Sequence, residues 1–364
     1  MSKNPEISII IPCKNEEDLI SKSLESVISF ELPSNISVEI LVLDGMSDDN
    51  TKNIINEFQK KDPRVKLIEN PGQFQSFALN IAIKIAKGDW ILRLDAHSVY
   101  PKNYLKLCYE TAIKTGADNV GGILISKQNG KSYQASLVQA LTTHSFGVGN
   151  SGFRIGAKGG EADSVPYGFY KKEVFSKIGF LDERLIRAQD YEFNRRLARS
   201  GGLIYMNPKI YINYYNQKTL FKFLFKQIKL EAPYNAYMWY LAPYTLAYRH
   251  IITGFFSTGV IGGLLLGPFS FLIKNIFISV ITLYFFLSLI SSFQQALRYK
   301  NIFHVIFLPI SFFLYHFLHG LGVLFGGLNI ILGRSPVQKI KEPWKGYEKF
   351  RIDIEGILDK NAKK

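Results

Sequence analysis

Apolar positions in the first half of the chain follow two rhythms. Ile7–Ile11, Val38–Leu43, Val65–Ile68 and Trp90–Leu94 are short runs rich in β-branched residues, each bounded by Pro, Gly, Asn or Asp. Such runs predict buried strands. Glu17–Phe30, Thr51–Lys60, Gln75–Lys87 and, further on, Gln189–Ser200 carry helical spacing instead. Strand and helix in alternation predict βαβ units and an α/β fold with a mostly parallel sheet, whose ligands sit at the carboxyl ends of the strands. The polar clusters that follow each strand are therefore where chemistry is expected.

The second half has a different pattern. From Ile251 to Phe293 the only charged residue is Lys274, and Ile302–Leu332 contains none. About 20 apolar residues suffice to cross a bilayer, so Ile251–Ile273 and Asn275–Phe293 read as two spans. The 31 residues of Ile302–Leu332 exceed one untilted crossing. Glycines and Pro268 interrupt the first segment, which leaves a kinked or re-entrant segment and an ordinary span both open. His304, His316 and His319 in the third read equally as functional groups or as neutral histidines bonded to a neighbouring helix. Ahead of these segments, Thr219–Leu230 places Lys222, Lys226 and Lys229 on one face and Leu220, Phe221, Leu224, Phe225 and Ile228 mostly elsewhere. That pattern predicts an interfacial helix against anionic lipid, with a solvated helix packed on the domain as the alternative.

The expected organisation is a globular domain over 1–216, an interfacial region over 217–250, a membrane region of two or three spans over 251–332 and a basic tail over 333–364. The tail carries nine Lys and Arg from Arg334 to Lys364, which the positive-inside tendency assigns to the cytoplasm. Three full crossings from a cytoplasmic domain would put it outside. An incomplete crossing or a third segment that folds back resolves the conflict better than a tail that departs from the tendency.

Composition narrows the class. A chain of 364 residues with 47% hydrophobic and 20% charged residues is not an intrinsically disordered one, and two Cys do not make a disulfide scaffold. Cys13 and Cys108 have neither redox nor zinc spacing and read as buried thiols. Met1–Glu6 leads straight into the first strand and leaves no room for a signal peptide, so the first domain is expected in the cytoplasm and the protein in the inner or plasma membrane. The formal net charge of +14 would suit nucleic acid. Its basic clusters flank the apolar segments, however, which assigns them to lipid headgroups; no nucleic-acid partner is expected.

Three strand-end or helix-start clusters carry candidate chemistry. Asp95 and His97 lie one residue apart after the fourth strand and point the same way, because side chains alternate with period two. Such a pair suits Mg²⁺ or Mn²⁺ with positions left for water and phosphate oxygens, or the Asp serves as a cap. The second strand ends in Asp44-Gly45-Met46-Ser47-Asp48-Asp49-Asn50-Thr51, where a carboxylate suits a ribose or base and the hydroxyls suit helix capping. No Gly-rich phosphate loop stands near either strand, so if a nucleotide binds, metal is the better means of neutralising its diphosphate. Asp190 opens the helix Gln189–Ser200; it reads as a general base toward a hydroxyl or as a first-turn residue favoured by the helix dipole. Arg196 on the same helix suits phosphate. The Gly-rich stretch Gly147–Gly160 reads as a substrate loop or a plain surface loop.

Taken in order, these residues resemble the family 2 glycosyltransferases of the GT-A fold from Ile7 to about Tyr215. The resemblance rests on Pro12, Asn15 and Glu16; on Asp44-Gly45-x-Ser47-x-Asp49-x-Thr51; on Ala78-x-Asn80 with Ala86-x-Gly88-Asp89; on Asp95-Ala96-His97; and on Asp190. Leu94–His97, Phe146–Ser151 and Gln189-Asp190-x-Glu192 further resemble the exopolysaccharide transferases of the succinoglycan type. The resemblance implies that Pro12, Asn15, Glu16 and Asp44 hold the uracil and ribose of a UDP-sugar, with Asn80, Asp95 and Arg196 also in the nucleotide-sugar site. It implies that Asp95 and His97 stand where the family's DxD binds a divalent metal, and that Asp190 is the catalytic base. His97 replaces the second Asp, Gln189 replaces the usual Glu, and the QxxRW of processive synthases is absent, which favours single addition. The expected activity is an inverting hexosyl transfer from a UDP-sugar to a hydroxyl of a polyprenyl-linked saccharide in exopolysaccharide synthesis. The rivals are a polyprenyl-phosphate sugar synthase and a non-catalytic nucleotide-sugar-binding membrane assembly protein.

Overall fold

The computed structural model describes residues 5–156 and 158–338; of the basic tail only Arg334 falls among them, and Lys339 to Lys364 lie outside. The contacts divide the chain into two compact units, one of residues up to 125 with 156–213, the other of 126–155 with 214–338.

The first half follows β1 (Ile7–Cys13), α1 (Ile20–Ile28), β2 (Val38–Asp44), α2 (Thr51–Lys61), β3 (Val65–Glu69), α3 (Gln75–Ile85), β4 (Trp90–Arg93), α4 (Tyr104–Thr115) and β5 (Asn119–Lys127). After α5 (Tyr133–Thr142), α6 (Ser145–Val148) and α7 (Gly152–Ile155) come β6 (Gly160–Glu161), β7 (Phe169–Lys171), α8 (Glu173–Ile178), α9 (Gln189–Arg199) and β8 (Ile204–Tyr215). One sheet runs β3-β2-β1-β4-β7-β5-β8-β6. Its β3, β2, β1 and β4 pair in parallel, β7 lies antiparallel to both β4 and β5, and β6 is antiparallel to β8. The mixed α/β architecture expected of a GT-A domain is thus present. β1 and β2 are covered on both faces, which is why they read as continuous apolar runs rather than alternating ones. Gly88 lets the chain enter β4 beside β1, since a Cβ there would lie 2.6 Å from the Ser8 nitrogen. Cys13 and Cys108 are buried thiols, as expected.

The second unit contains the apolar half. α10 (Leu220–Lys226) passes through a π-helical turn, Gln227–Glu231, into α11 (Ala232–Leu241), and α12 (Tyr248–Leu266), α13 (Phe271–Tyr299) and α14 (Phe303–Ile331) follow. Residues 126–155 cluster here rather than with the sheet domain in which a boundary at 216 would put them. The reason is apolar packing: Leu137, Val138, Ala140 and Leu141 of α5 form one buried cluster with Phe223, Leu224, Leu308 and Phe312. The Gly147–Gly160 stretch is accordingly not one open loop, because α6 and α7 occupy part of it and Gly147 packs against the Leu141 carbonyl and Phe312.

Among the described residues three helices are long and apolar enough to cross a membrane: His250–Phe269, Phe271–Tyr299 and a third that starts at Phe303. The third segment does not fold back; α14 is one 29-residue helix with Pro309 inside it. Nor do its glycines break α12, which runs 19 residues and ends in the turn Gly267–Phe269. The three histidines each meet a neighbouring side chain: His304 Nε2 lies 3.1 Å from Ser136 Oγ, His316 Nδ1 2.8 Å from Tyr284 Oη and His319 Nδ1 2.9 Å from Thr253 Oγ1. On α10, Phe221 and Phe225 are exposed and stacked on each other, and Lys226 pairs with Glu231 at 3.1 Å.

Candidate active site

The loops after β1 and β2 are held together by short hydrogen bonds. Asn15, in a left-handed conformation (φ 53°), donates its N–H to Ser47 Oγ at 2.9 Å, and its Oδ1 accepts from the Asp48 N–H. The Glu16 N–H donates to Thr51 Oγ1 at 2.8 Å and the Glu17 N–H to Asp49 Oδ2 at 3.2 Å. Asp44 is fully buried; it accepts from the Ser47 N–H and hydroxyl, and Lys52 Nζ lies 3.5 Å away. Asp44 therefore anchors the 45–51 loop, and its carboxylate faces that loop rather than solvent. Pro12, half-buried, sits opposite Leu43 in the parallel ladder just before these loops.

Beyond β4 the chain sets Asp95 and His97 beside Glu16. His97 is half-exposed; its Nδ1 lies 3.1 Å from Glu16 Oε1, and its Nε2 lies 4.0 Å from Asp95 Oδ2. The hydrogen bond to Glu16 raises the His97 pKa above its ordinary value, burial opposes this, and the Asp95 charge adds to the rise. Asp95 Oδ1 is occupied by Arg93 Nη2 at 2.9 Å and Gln75 Nε2 at 3.0 Å. The Tyr100 hydroxyl fixes the Asp95 backbone, accepting from its N–H at 2.8 Å and donating to its carbonyl at 3.1 Å.

A third strip reaches the same place from α9. Gln189 Nε2 donates to Gln75 Oε1 at 2.6 Å. Asp190, with its side chain 40% exposed, turns Oδ2 to Arg93 Nη1 at 3.8 Å while its Oδ1 accepts from the Tyr191 N–H. Burial alone would favour a neutral Arg93, but Asp95 and Asp190 outweigh it and hold the guanidinium charged. Left-handed backbone gathers around this region at Asn15, Met46, Gln73, Tyr167 and Ala188, none of them glycine. Such conformations persist where the surroundings enforce them, which is a common mark of functional loops.

The structure thus brings Asn15, Glu16, Asp44, Asp95, His97 and Asp190 into one connected network. It does not bring Asn80 or Arg196 into it. Asn80 is buried in α3, where its Oδ1 accepts from the Leu181 N–H and its Nδ2 donates to the Leu181 carbonyl and Glu183; it holds the 181–183 turn. Arg196 binds Glu192 one helical turn back through two nitrogens and donates to the Ile178 and Phe180 carbonyls. The polar groups of both are directed at the protein's own backbone and helix, away from that network. Arg93, Gln75 and Tyr100 were missed. For Arg93 a signal existed, because it precedes Asp95 by two residues and so shares its face.

The donor set suits a divalent cation. Asp95 Oδ2 and His97 Nε2 face each other, and Glu16 occupies the other imidazole nitrogen, the arrangement by which a carboxylate orients a ligating histidine. Among the described residues no group of three His, Cys, Asp or Glu forms a closed cage, so further positions would fall to phosphate oxygens and water.

Residues 8–179 match the family described as Glycosyl transferase family 2. The dolichyl N-acetyl-alpha-D-glucosaminyl phosphate 3-beta-D-2,3-diacetamido-2,3-dideoxy-beta-D-glucuronosyltransferase of Methanococcus voltae is 31% identical over 341 residues, 90% of this chain and 98% of that protein. The succinoglycan biosynthesis protein ExoA of Rhizobium meliloti is 32% identical over 214 residues, 58% of this chain and 64% of that protein. In fold, the mannosyltransferase PcManGT of Pyrobaculum calidifontis, solved with GDP-Man and Mn²⁺, aligns with a TM-score of 0.58 at 16% identity, covering 87% of this chain and 88% of that one.

Proposed function

The chain belongs to glycosyl transferase family 2, and from that premise we propose that it is a membrane-anchored inverting hexosyltransferase moving a sugar from a UDP-sugar to a hydroxyl of a lipid-linked saccharide. The observation that carries the reading is the placement of Asp190, a part-exposed carboxylate at the start of α9, on the same network of hydrogen bonds and ion pairs as Asp95 and His97. The relative from Methanococcus voltae, whose name specifies a dolichyl-phosphate-linked sugar, and ExoA, named for succinoglycan biosynthesis, support a lipid-linked acceptor and a role in cell-surface or exopolysaccharide synthesis.

In this reading the end of β1 at Pro12 and the loop carrying Asn15 and Glu16 receive uracil and ribose, with Asp44 holding the 45–51 loop in place beside them. Asp95 and His97 would hold Mg²⁺ or Mn²⁺, which when bound offsets charge on the leaving diphosphate. Asp190 Oδ2 takes the proton of the acceptor hydroxyl as that oxygen attacks the sugar carbon opposite the leaving group, so configuration inverts. The Tyr191 N–H on Oδ1 fixes one oxygen of the carboxylate and leaves Oδ2 for this role. The apolar helices α12, α13 and α14 would anchor the enzyme as a multi-pass protein of the inner or plasma membrane, its sheet domain in the cytoplasm, with α10 on the lipid surface.

The test is a screen of labelled UDP-hexoses with Mn²⁺ and membrane fractions, following label into a lipid extract, for the wild type and Asp190→Asn. Transfer by the wild type and its loss in the variant, with UDP binding retained, is expected. Full turnover in Asp190→Asn would favour a lipid phosphate as acceptor, because a phosphate is already ionised and needs no base. Neither transfer nor donor hydrolysis with any UDP-hexose would leave a binding protein without catalysis.

A further inference from the structure

Arg93 has an environment that its sequence neighbours do not explain. Its side chain is 11% exposed, its Nε is buried without a partner, and its guanidinium lies 5.2 Å over the ring of Tyr167, itself in a left-handed conformation. The two terminal nitrogens reach different carboxylates: Asp95 at 2.9 Å and Asp190 at 3.8 Å. One buried cation thus ties the two carboxylates together. The two distances also differ in kind. The contact with Asp95 is a charge-assisted hydrogen bond that fixes the carboxylate, whereas 3.8 Å leaves Asp190 free to reorient and to accept a proton.

Gln75 completes the arrangement. Its amide nitrogen takes the same Asp95 oxygen that Arg93 takes, and its amide oxygen accepts from Gln189, the residue before Asp190. Asp95 Oδ1 is thereby occupied twice while Oδ2 is left toward His97. The carboxamide pair fixes the first residue of α9 to the same carboxylate. A carboxylate at position 189 would face the Asp95 charge across Gln75, whereas the amide of Gln189 donates without adding to the negative charge.

We infer that Arg93 and Gln75 are positioning residues, which present Asp95 to the cation through one free oxygen and, with Gln189, hold the start of α9 so that Asp190 stands in register with it. The inference rests on the glycosyltransferase reading of this site. Arg93 acts through Asp95 and Asp190, and Gln75 through Asp95 and Gln189.

The test uses the full-length protein in detergent, with Mn²⁺ and UDP as probes, and reads Mn²⁺ retention by electron paramagnetic resonance, melting temperature, and kcat and KM for the active donor. Arg93→Lys and Gln75→Leu are expected to weaken Mn²⁺ retention by roughly 10- to 100-fold, the size seen when the partner of a metal ligand is removed. Gln189→Leu is expected to lower kcat with little change in KM, and adding it to Gln75→Leu is expected to lower kcat no further, since both cut one link. If Arg93→Lys does not fold, the two glutamine variants decide. Variants that fold and match the wild type in Mn²⁺ retention and kcat, or glutamine losses that add in full, overturn the inference and leave the enzyme assignment standing. A wild type that retains no Mn²⁺ with UDP overturns both.

Discussion

His97 Nδ1 lies 3.1 Å from Glu16 Oε1, so the loop after β1 holds one ring nitrogen of the histidine that follows β4. With Nδ1 engaged, Nε2 is the nitrogen that faces Asp95. Under the proposed reading, Glu16 both stands in the segment that receives the nucleotide and orients His97.

Replacing Glu16 by Ala removes that orientation without cutting into the sheet core. Mn²⁺ affinity is expected to fall roughly tenfold or more, as for other carboxylates behind ligating histidines, while the melting temperature stays near that of the wild type. A Mn²⁺ titration checks this; unchanged affinity would take Glu16 out of the cation site.

Asn80 and Arg196 are expected to respond in the opposite way. Asn80→Leu removes the partner of the Leu181 backbone groups, and Arg196→Met removes the two-nitrogen pairing with buried Glu192. Each is expected to destabilise the fold by about 2–4 kcal/mol, read from denaturant unfolding. UDP affinity of the folded fraction should not change, and a selective loss of UDP affinity would restore the nucleotide-contact role.

The difference between these pairs of residues marks how far the sequence could be read. Asp44, Asp95 and Asp190 were legible because each sits at the end of a strand or the start of a helix, and element ends follow from local pattern. The strands around them were legible for the same reason. Asn80 bonding Leu181, about a hundred positions away, and Gln75 bonding Gln189 follow from how α3 and α9 pack, which no local pattern records. Arg93 was within reach of period two, but a charged residue in a four-residue strand reads first as a solvent-facing position. The apolar segments were legible as helices long and apolar enough to cross a membrane, yet α14 is too long for one untilted crossing, and composition alone does not separate a long helix from a folded-back pair.

Acidification should act on the sheet through Glu39. This side chain is buried in β2; burial would raise its pKa, but Lys66 Nζ at 2.8 Å, the Lys87 N–H at 2.7 Å and the Ser8 hydroxyl at 2.7 Å outweigh burial and hold it below the ordinary value. A depressed folded pKa means that the unfolded chain binds the proton more readily. The contribution is therefore complete above the ordinary carboxyl value of 4.5 and is lost as pH falls from there through the folded value. Glu39→Gln is expected to lower stability by about 2 kcal/mol at neutral pH and to flatten the fall in melting temperature below that value. An equally steep fall in the variant would assign the acid sensitivity to other carboxylates.

Helix packing in the apolar unit depends on Gly320. A Cβ at this position of α14 would collide with the Thr253 carbonyl and the Ser257 hydroxyl of α12, so the two backbones approach as closely as they do because no side chain intervenes. Small residues allow such contact in lipid, where packing and interhelical hydrogen bonds replace the hydrophobic drive between helices. Two bonds depend on the approach: Ser257 Oγ donates to the Phe317 carbonyl at 2.8 Å, and Thr253 Oγ1 meets His319 Nδ1 at 2.9 Å. Gly320→Ala is expected to cost about 2 kcal/mol by overpacking, seen as a lower melting temperature in detergent. Gly259→Ala on α12, where a Cβ meets nothing within 4 Å, is the matched control and should leave melting unchanged. Equal melting of the two variants would show that α12 and α14 do not pack through Gly320.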